Sequence, residues 1–100
     1  MSSETTLTEQ SPGRWLLQGD LGFDTVTAVL QHSGVKMLQH TQLQVDLNGV
    51  TRADSAGLAL LVEWLRESER AGNDIAFINV PGQLLSIARV CGLDEILSLD

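Results

Sequence analysis

A single mixed α/β domain is the fold predicted for this chain, and three observations predict it. Two short strand-like runs flank a Ser11-Pro12-Gly13 turn. A later run, Gln42 to Leu47, alternates strictly between polar and apolar residues. Beyond residue 55, apolar residues recur at helical spacing in two separate stretches. The resulting order, β-β-α-β-α-β-α, implies a mixed β-sheet with an N-terminal antiparallel hairpin, and right-handed crossovers that pack helices on the sheet. One hundred residues with 43% apolar content suffice for one core, so residues 1–100 are read as one domain.

Taken in order, Thr5–Glu9 and Arg14–Gly19 are the two strands of the hairpin. A first helix follows, with Phe23, Val26, Val29 and Leu30 on its apolar face, Asp24 or Thr25 to cap its start and Gly34 to end it. In Gln42–Leu47, Leu43, Val45 and Leu47 face a core while Gln44 and Asp46 face away. The second helix runs from about Ser55 to Ala71, with Leu58, Leu61, Val62 and Leu65 at i, i+3, i+4 and i+7. Glu63, Arg66, Glu67 and Arg70 face water, and Gly72-Asn73 stops the helix. Ile75–Val80 is a nearly continuous apolar strand that suits an inner position in the sheet. Pro81 opens a third helix, whose stripe is Leu84, Ile87, Ala88 and Cys91 and whose end is a Gly92-Leu93 Schellman stop. Ile96–Leu99 is too short to assign as strand or helix. Trp15, on a short strand, is read as core.

Thirteen acidic residues against six basic ones give a formal charge of −7, which repels phosphate backbones and argues against nucleic-acid binding. No basic amphipathic helix is present to sit on anionic lipid, so a protein partner with a basic surface is expected, and no direct membrane insertion. A single cysteine, Cys91, excludes an internal disulfide and is expected in the core. The polar start, Met1 to Gln10, lacks the apolar run of a signal peptide, and no window has the length of a membrane span. The expectation is a cytoplasmic chain whose membrane association runs through a partner.

The most informative stretch is Val45 to Leu58, in which a strand ends, a short loop follows and a helix begins at Asp54-Ser55. Asp54 suits the N-cap, where its carboxylate accepts from the free amides of Ala56 or Gly57. Ser55 then lies in the first turn, near the positive end of the helix dipole, where a phosphate on its hydroxyl would be favoured. Ala56 and Gly57 carry no bulk, so a partner's backbone has room to approach. The plainer reading of the same residues is a cap followed by a glycine that relieves crowding.

This segment resembles the signature of STAS domains, the family of sulphate-transporter and anti-anti-sigma-factor modules. Their pattern is an apolar strand ending in Asp, a short loop, then Asp-Ser or Asp-Thr, a small residue and Gly-Leu. Asp46-Leu47, Val50 and Asp54-Ser55-Ala56-Gly57-Leu58 match it in order and spacing. With Gly72, the Ile75–Val80 strand and Cys91-Gly92-Leu93, the resemblance covers roughly residues 14 to 97. Where STAS domains commonly read Gly-Glu-Leu-Asp, this chain departs, reading Gly19-Asp20-Leu21-Gly22-Phe23-Asp24.

Two functions follow from the resemblance. In anti-anti-sigma members the hydroxyl residue after this Asp is phosphorylated by a partner kinase, which makes Ser55 a possible phosphorylation site and a serine kinase or anti-sigma factor the alternative partner. In a second branch, a small STAS subunit serves an ABC transporter that maintains outer-membrane lipid asymmetry. Gly57-Leu58-Ala59-Leu60-Leu61, the Gly72-Asn73 stop and the short length without extensions are similar to that branch. It implies a non-catalytic subunit that binds the transporter's ATPase and, through it, the membrane permease. A third use within the family, carriage of a small ligand, has no pocket legible in sequence.

The expected partner surface comprises Asp54, Ser55, Ala56, Gly57, Leu60 and Trp64. Leu60 and Trp64 lie four residues apart on the flank of the second helix, either as partner anchors or as cover for the core's edge. His32 and His40 lack a cysteine or carboxylate cluster at ligand spacing, so no metal is expected. No serine has a convincing histidine and acid partner, and no glycine-rich phosphate loop follows a strand. Neither enzymatic activity nor a cofactor is therefore expected.

Overall fold

The computed structural model describes residues 5–27, 29 and 41–99. In chain order these form β1 (Thr6–Ser11), β2 (Arg14–Leu21), a first helix α1 described over residues 23–27, β3 (Gln42–Ala53), α2 (Ser55–Arg70), β4 (Asp74–Ile78) and α3 (Gly82–Val90). Among the described residues the sheet order is β1-β2-β3-β4, with β1 antiparallel to β2 and the two remaining pairs parallel. The mixed sheet and its N-terminal hairpin are thus as the sequence predicts. Ser11 pairs with Arg14 across a Pro12-Gly13 corner in which Gly13 has φ 81°. Proline presets the first turn position, and glycine supplies the positive φ that a type II turn needs at the second.

Alternation along the strands selects one face for the core. Trp15, Leu17 and Leu21 of β2, Leu43, Val45 and Leu47 of β3, and Phe77 of β4 are buried in one cluster. Arg14, Gln18, Gln42, Asn48, Asp74 and Ala76 point the other way and are exposed. Beyond Leu47 the buried positions of β3 are Val50 and Ala53, three residues apart instead of two. Two register shifts against β2 absorb the extra residues, so β3 bulges and continues six residues past the predicted end. Gly49 sits at the first shift because a β-carbon there would lie 2.5 Å from Gln18 Cγ.

Three expectations are corrected. β4 pairs with β3 alone among the described residues and is an edge strand, not an inner one. Its apolar residues are satisfied on one side by Phe77 in the core, while Ala76 is exposed and Ile75 and Ile78 are half-buried. Second, the deepest line of α2 is Gly57, Leu60, Leu61, Trp64 and Ser68, with Leu58 alongside, and the predicted Val62 and Leu65 are only half-buried. Two apolar stripes compete on this helix, and the one that holds the large indole and the close-approaching glycine wins the core. Third, Cys91 is exposed, because it is the C-cap of α3 and no longer on the helix stripe.

Both long helices end alike. Gly72 and Gly92, at φ 75° and 72°, are followed by Asn73 and Leu93, whose amides donate to Ser68 and Ala88 carbonyls at 2.8 Å. Gly72 and Gly92 themselves donate to Glu69 and Arg89 at 3.1 Å. These are the paired bonds of the Schellman stop predicted at Gly92-Leu93. After it, residues 94–98 are turns, and Leu97 and Leu99 close the core. The predicted helix residues Leu30 and Gly34, with His32 and His40, lie outside the described residues.

Ser68 is buried within α2, and its hydroxyl has no hydrogen-bond partner among the described residues. An unpaired hydroxyl carries its desolvation cost with no return, and alanine is the better helix former. Ser68→Ala is therefore expected to stabilise the protein by about 1 kcal/mol, read as a higher urea midpoint at unchanged m-value; a loss of stability would show that the hydroxyl is satisfied in solution.

Candidate functional site

The corner around Ser55 is assembled where β2 and β3 end. Asp54, in extended backbone at φ −123°, donates its amide to the Leu21 carbonyl at 3.2 Å and so ties the start of α2 to the last residue of β2. Its carboxylate accepts from the Ala56 amide at 2.8 Å, as the sequence predicts for an N-cap. Gly57 allows the helix to close on the sheet: a β-carbon there would lie 3.1 Å from Leu21 Cβ and 3.2 Å from the Leu21 carbonyl oxygen. At the end of β3, the Ala53 amide donates to Gln83 Oε1 of α3 at 3.3 Å.

The connection from β2 into α1 is fixed by Thr25. Its hydroxyl donates to the Asp20 carbonyl at 2.6 Å and accepts from the Gly22 amide at 3.1 Å. The Asp20 carbonyl also accepts from the Thr5 hydroxyl of the strand-one side. Gly22 is the capping residue, its carbonyl accepting from Thr25 and Val26 at 3.1 and 3.0 Å. Of the two predicted caps, Asp24 takes no such role, and Thr25 acts from inside the first turn. The starts of α1, α2 and α3 therefore meet at the carboxyl ends of β2 and β3, the place where parallel α/β sheets commonly bind.

Asp54 and Ser55 are exposed at the apex of this corner, and Ala56 and Gly57 are buried beneath it. Leu60 and Trp64 are not on the surface: they are 1% and 2% exposed, within the core cluster. Of the two readings open from sequence, core cover is correct, because both lie on the line of α2 that faces the sheet. A charge at Leu60 would unfold the chain and probe no interface. Beside Ser55, a groove of about 430 Å³ runs between α2 and the end of α3, lined by Leu58, Ala59, Val62, Glu63, Arg66, Cys91 and Leu93 with Ser55 itself. Two other hollows, of about 370 and 500 Å³, include none of the corner's residues. Among the described residues no group of three or more His, Cys, Asp or Glu is arranged to hold a metal ion.

Two residues of this edge were not anticipated. Gln83, exposed in the first turn of α3, braces the end of β3, and nothing in its sequence neighbourhood signals that contact. Phe23, expected on the buried face of the first helix, is 78% exposed. Apolar spacing places it with Val26 and Val29, so its sequence neighbourhood carries no signal of that exposure.

A four-stranded mixed sheet with a hydroxyl residue at the capped start of α2 is the arrangement of a STAS domain. The family described as "Mlab, STAS domain" matches residues 8–98, and the chain belongs to it. A relative from Haemophilus influenzae, named as the intermembrane phospholipid transport system binding protein MlaB, is 31% identical over 83 residues, 79% of each chain. One chain of the solved Acinetobacter MlaFEDB complex, in an ATP-bound conformation, superposes with a TM-score of 0.82 at 26% identity. The match covers 95% of this chain and 99% of that one. The unphosphorylated anti-sigma factor antagonist SpoIIAA superposes at 0.72 with 17% identity, over 91% of this chain and 83% of its own, a likeness of fold.

Gly57→Val tests how the corner is built. A branched side chain would press on the Leu21 carbonyl, which already accepts from Asp54. The expected loss is about 2 kcal/mol, measured by urea unfolding; wild-type stability would mean that α2 can lift from β2 without cost.

Proposed function

We propose that this chain is the non-catalytic STAS subunit of a phospholipid-transporting ABC complex that maintains outer-membrane lipid asymmetry, bound to the complex's cytoplasmic MlaF-like ATPase through the Ser55 corner. The observation that carries the reading is the match to one chain of the MlaFEDB complex over nearly the full length of both. The name of the Haemophilus relative supports the same assignment. In this reading the chain sits at the inner membrane through its partner, as the match to a chain of the MlaFEDB complex suggests; no helix among the described residues is long and apolar enough to cross a membrane.

The geometry supports a docking role. Ser55 is exposed on a helix start held by a backbone bond to β2, so the surface meets a partner with little rearrangement. Asp54 precedes it at the cap, Asp20 and Asp54 both approach Gly22, and the chain's charge of −7 favours a basic partner surface. Binding there stabilises the ATPase or its dimer, and any influence on the permease is transmitted through that subunit. The exposed hydroxyl at a helix N-terminus also suits a phosphate, which supports the alternative of an antagonist switched by phosphorylation of Ser55.

Affinity capture of the tagged chain from gently solubilised native membranes decides between them. Wild type is expected to recover an ABC ATPase with its permease, and Ser55→Lys to lose both while its melting temperature stays within a few degrees. Recovery of a soluble serine kinase, with a phosphorylated fraction at Ser55 in the intact mass, would establish the antagonist role instead.

A further inference from the structure

We infer that Phe23 is the aromatic anchor of the partner interface, its ring seating in an apolar notch on the basic ATPase surface that covers Ser55; the inference rests on the ATPase-docking reading. Phe23 stands apart on α1. Val29 is buried and Val26 half-buried, whereas the phenyl ring is 78% exposed, with no place in the core. The backbone beneath the ring is nevertheless held firmly. Gly22 donates to Thr25 Oγ1 at 3.1 Å, and Thr25 donates to the Asp20 carbonyl at 2.6 Å. An aromatic ring on a fixed turn offers a large apolar area and loses little freedom on binding, the character of an interface hot spot.

Phe23 is also continuous with the Ser55 corner. A β-carbon on its neighbour Gly22 would lie 3.4 Å from Asp54 Oδ2, the carboxylate that caps the helix bearing Ser55. A protein surface of ordinary interface size, about 800 Å² per partner, that covers Ser55 extends over Phe23. The occupant's chemistry follows from the rim. Carboxylate oxygens of Asp54 and Asp20 lie 3.4 and 3.6 Å from where a β-carbon on Gly22 would be, and Asp24 is the exposed residue after Phe23, so anionic lipid headgroups are repelled and a basic protein surface with an apolar notch is attracted. The ring therefore faces protein and not the bilayer.

Isothermal titration of the full-length chain with the purified ATPase subunit recovered by wild type tests this. Phe23→Ser is expected to weaken binding about thirtyfold with an unchanged melting temperature, since an exposed ring contributes little to the fold. Phe23→Trp, which keeps an aromatic anchor, is expected to stay within about threefold of wild type, inside the range of a modest contact change. Wild-type affinity in Phe23→Ser alongside lost binding in Ser55→Lys would overturn the anchor and leave the docking site standing. Absence of ATPase binding by wild type would overturn both.

Discussion

The start of α2 is pressed onto the last residue of β2, and the rest of the corner takes its position from that contact. Leu21 contributes through both side chain and carbonyl: the oxygen accepts from Asp54, and the side chain lies where any β-carbon on residue 57 would go. Glycine is a poorer helix former than alanine. Here that sacrifice lets Leu60, Leu61 and Trp64 reach the sheet and bury. With the helix axis set, Asp54 falls at the cap, and Ser55, one residue on, has nowhere to point but outward. Exposure of Ser55 is thus a consequence of packing beneath it.

Two further braces keep the corner from depending on a single contact. Gln83 reaches from α3 to the last amide of β3, and Thr25 bridges the turn between β2 and α1. Three helix starts gathered at one edge also gather the positive ends of their dipoles, which the capping carboxylate of Asp54 partly offsets. A surface built in this way suits recognition, because its cost of ordering is met during folding and not at the moment of binding. It also accounts for the sensitivity expected at Ser55, where an added charge falls on a rigid patch that cannot move aside.

Much of the fold was legible because the signals were local. Strand alternation placed Leu43, Val45 and Leu47 inward, the Pro12-Gly13 corner set the hairpin, and Gly72 and Gly92 marked helix ends through their backbone preference. What failed required knowledge of neighbours. On α2, Leu58, Leu61, Val62 and Leu65 form as good an apolar row as the line through Leu60 and Trp64, and only the packing of the helix on the sheet and α3 decides between them. An apolar strand reads the same whether a further strand or helices cover it, so β4 passed for an inner strand. At the site, the Asp54 cap and exposed Ser55 were readable from the dipeptide and its place after a strand. Phe23 was not, since apolar spacing assigns it inward with Val26 and Val29, and the structure leaves it exposed.

The central claim is that the partner covers the edge at which the three helices begin. Amide hydrogen exchange on the chain, alone and saturated with the ATPase proposed as its partner, tests that most directly. The account predicts slowed exchange confined to the α1 and α2 starts around Phe23 and Ser55, with little change at the opposite edge around Pro12–Arg14 and Asp74. Protection centred on that opposite edge, with the Ser55 corner exchanging as in the free chain, would contradict it.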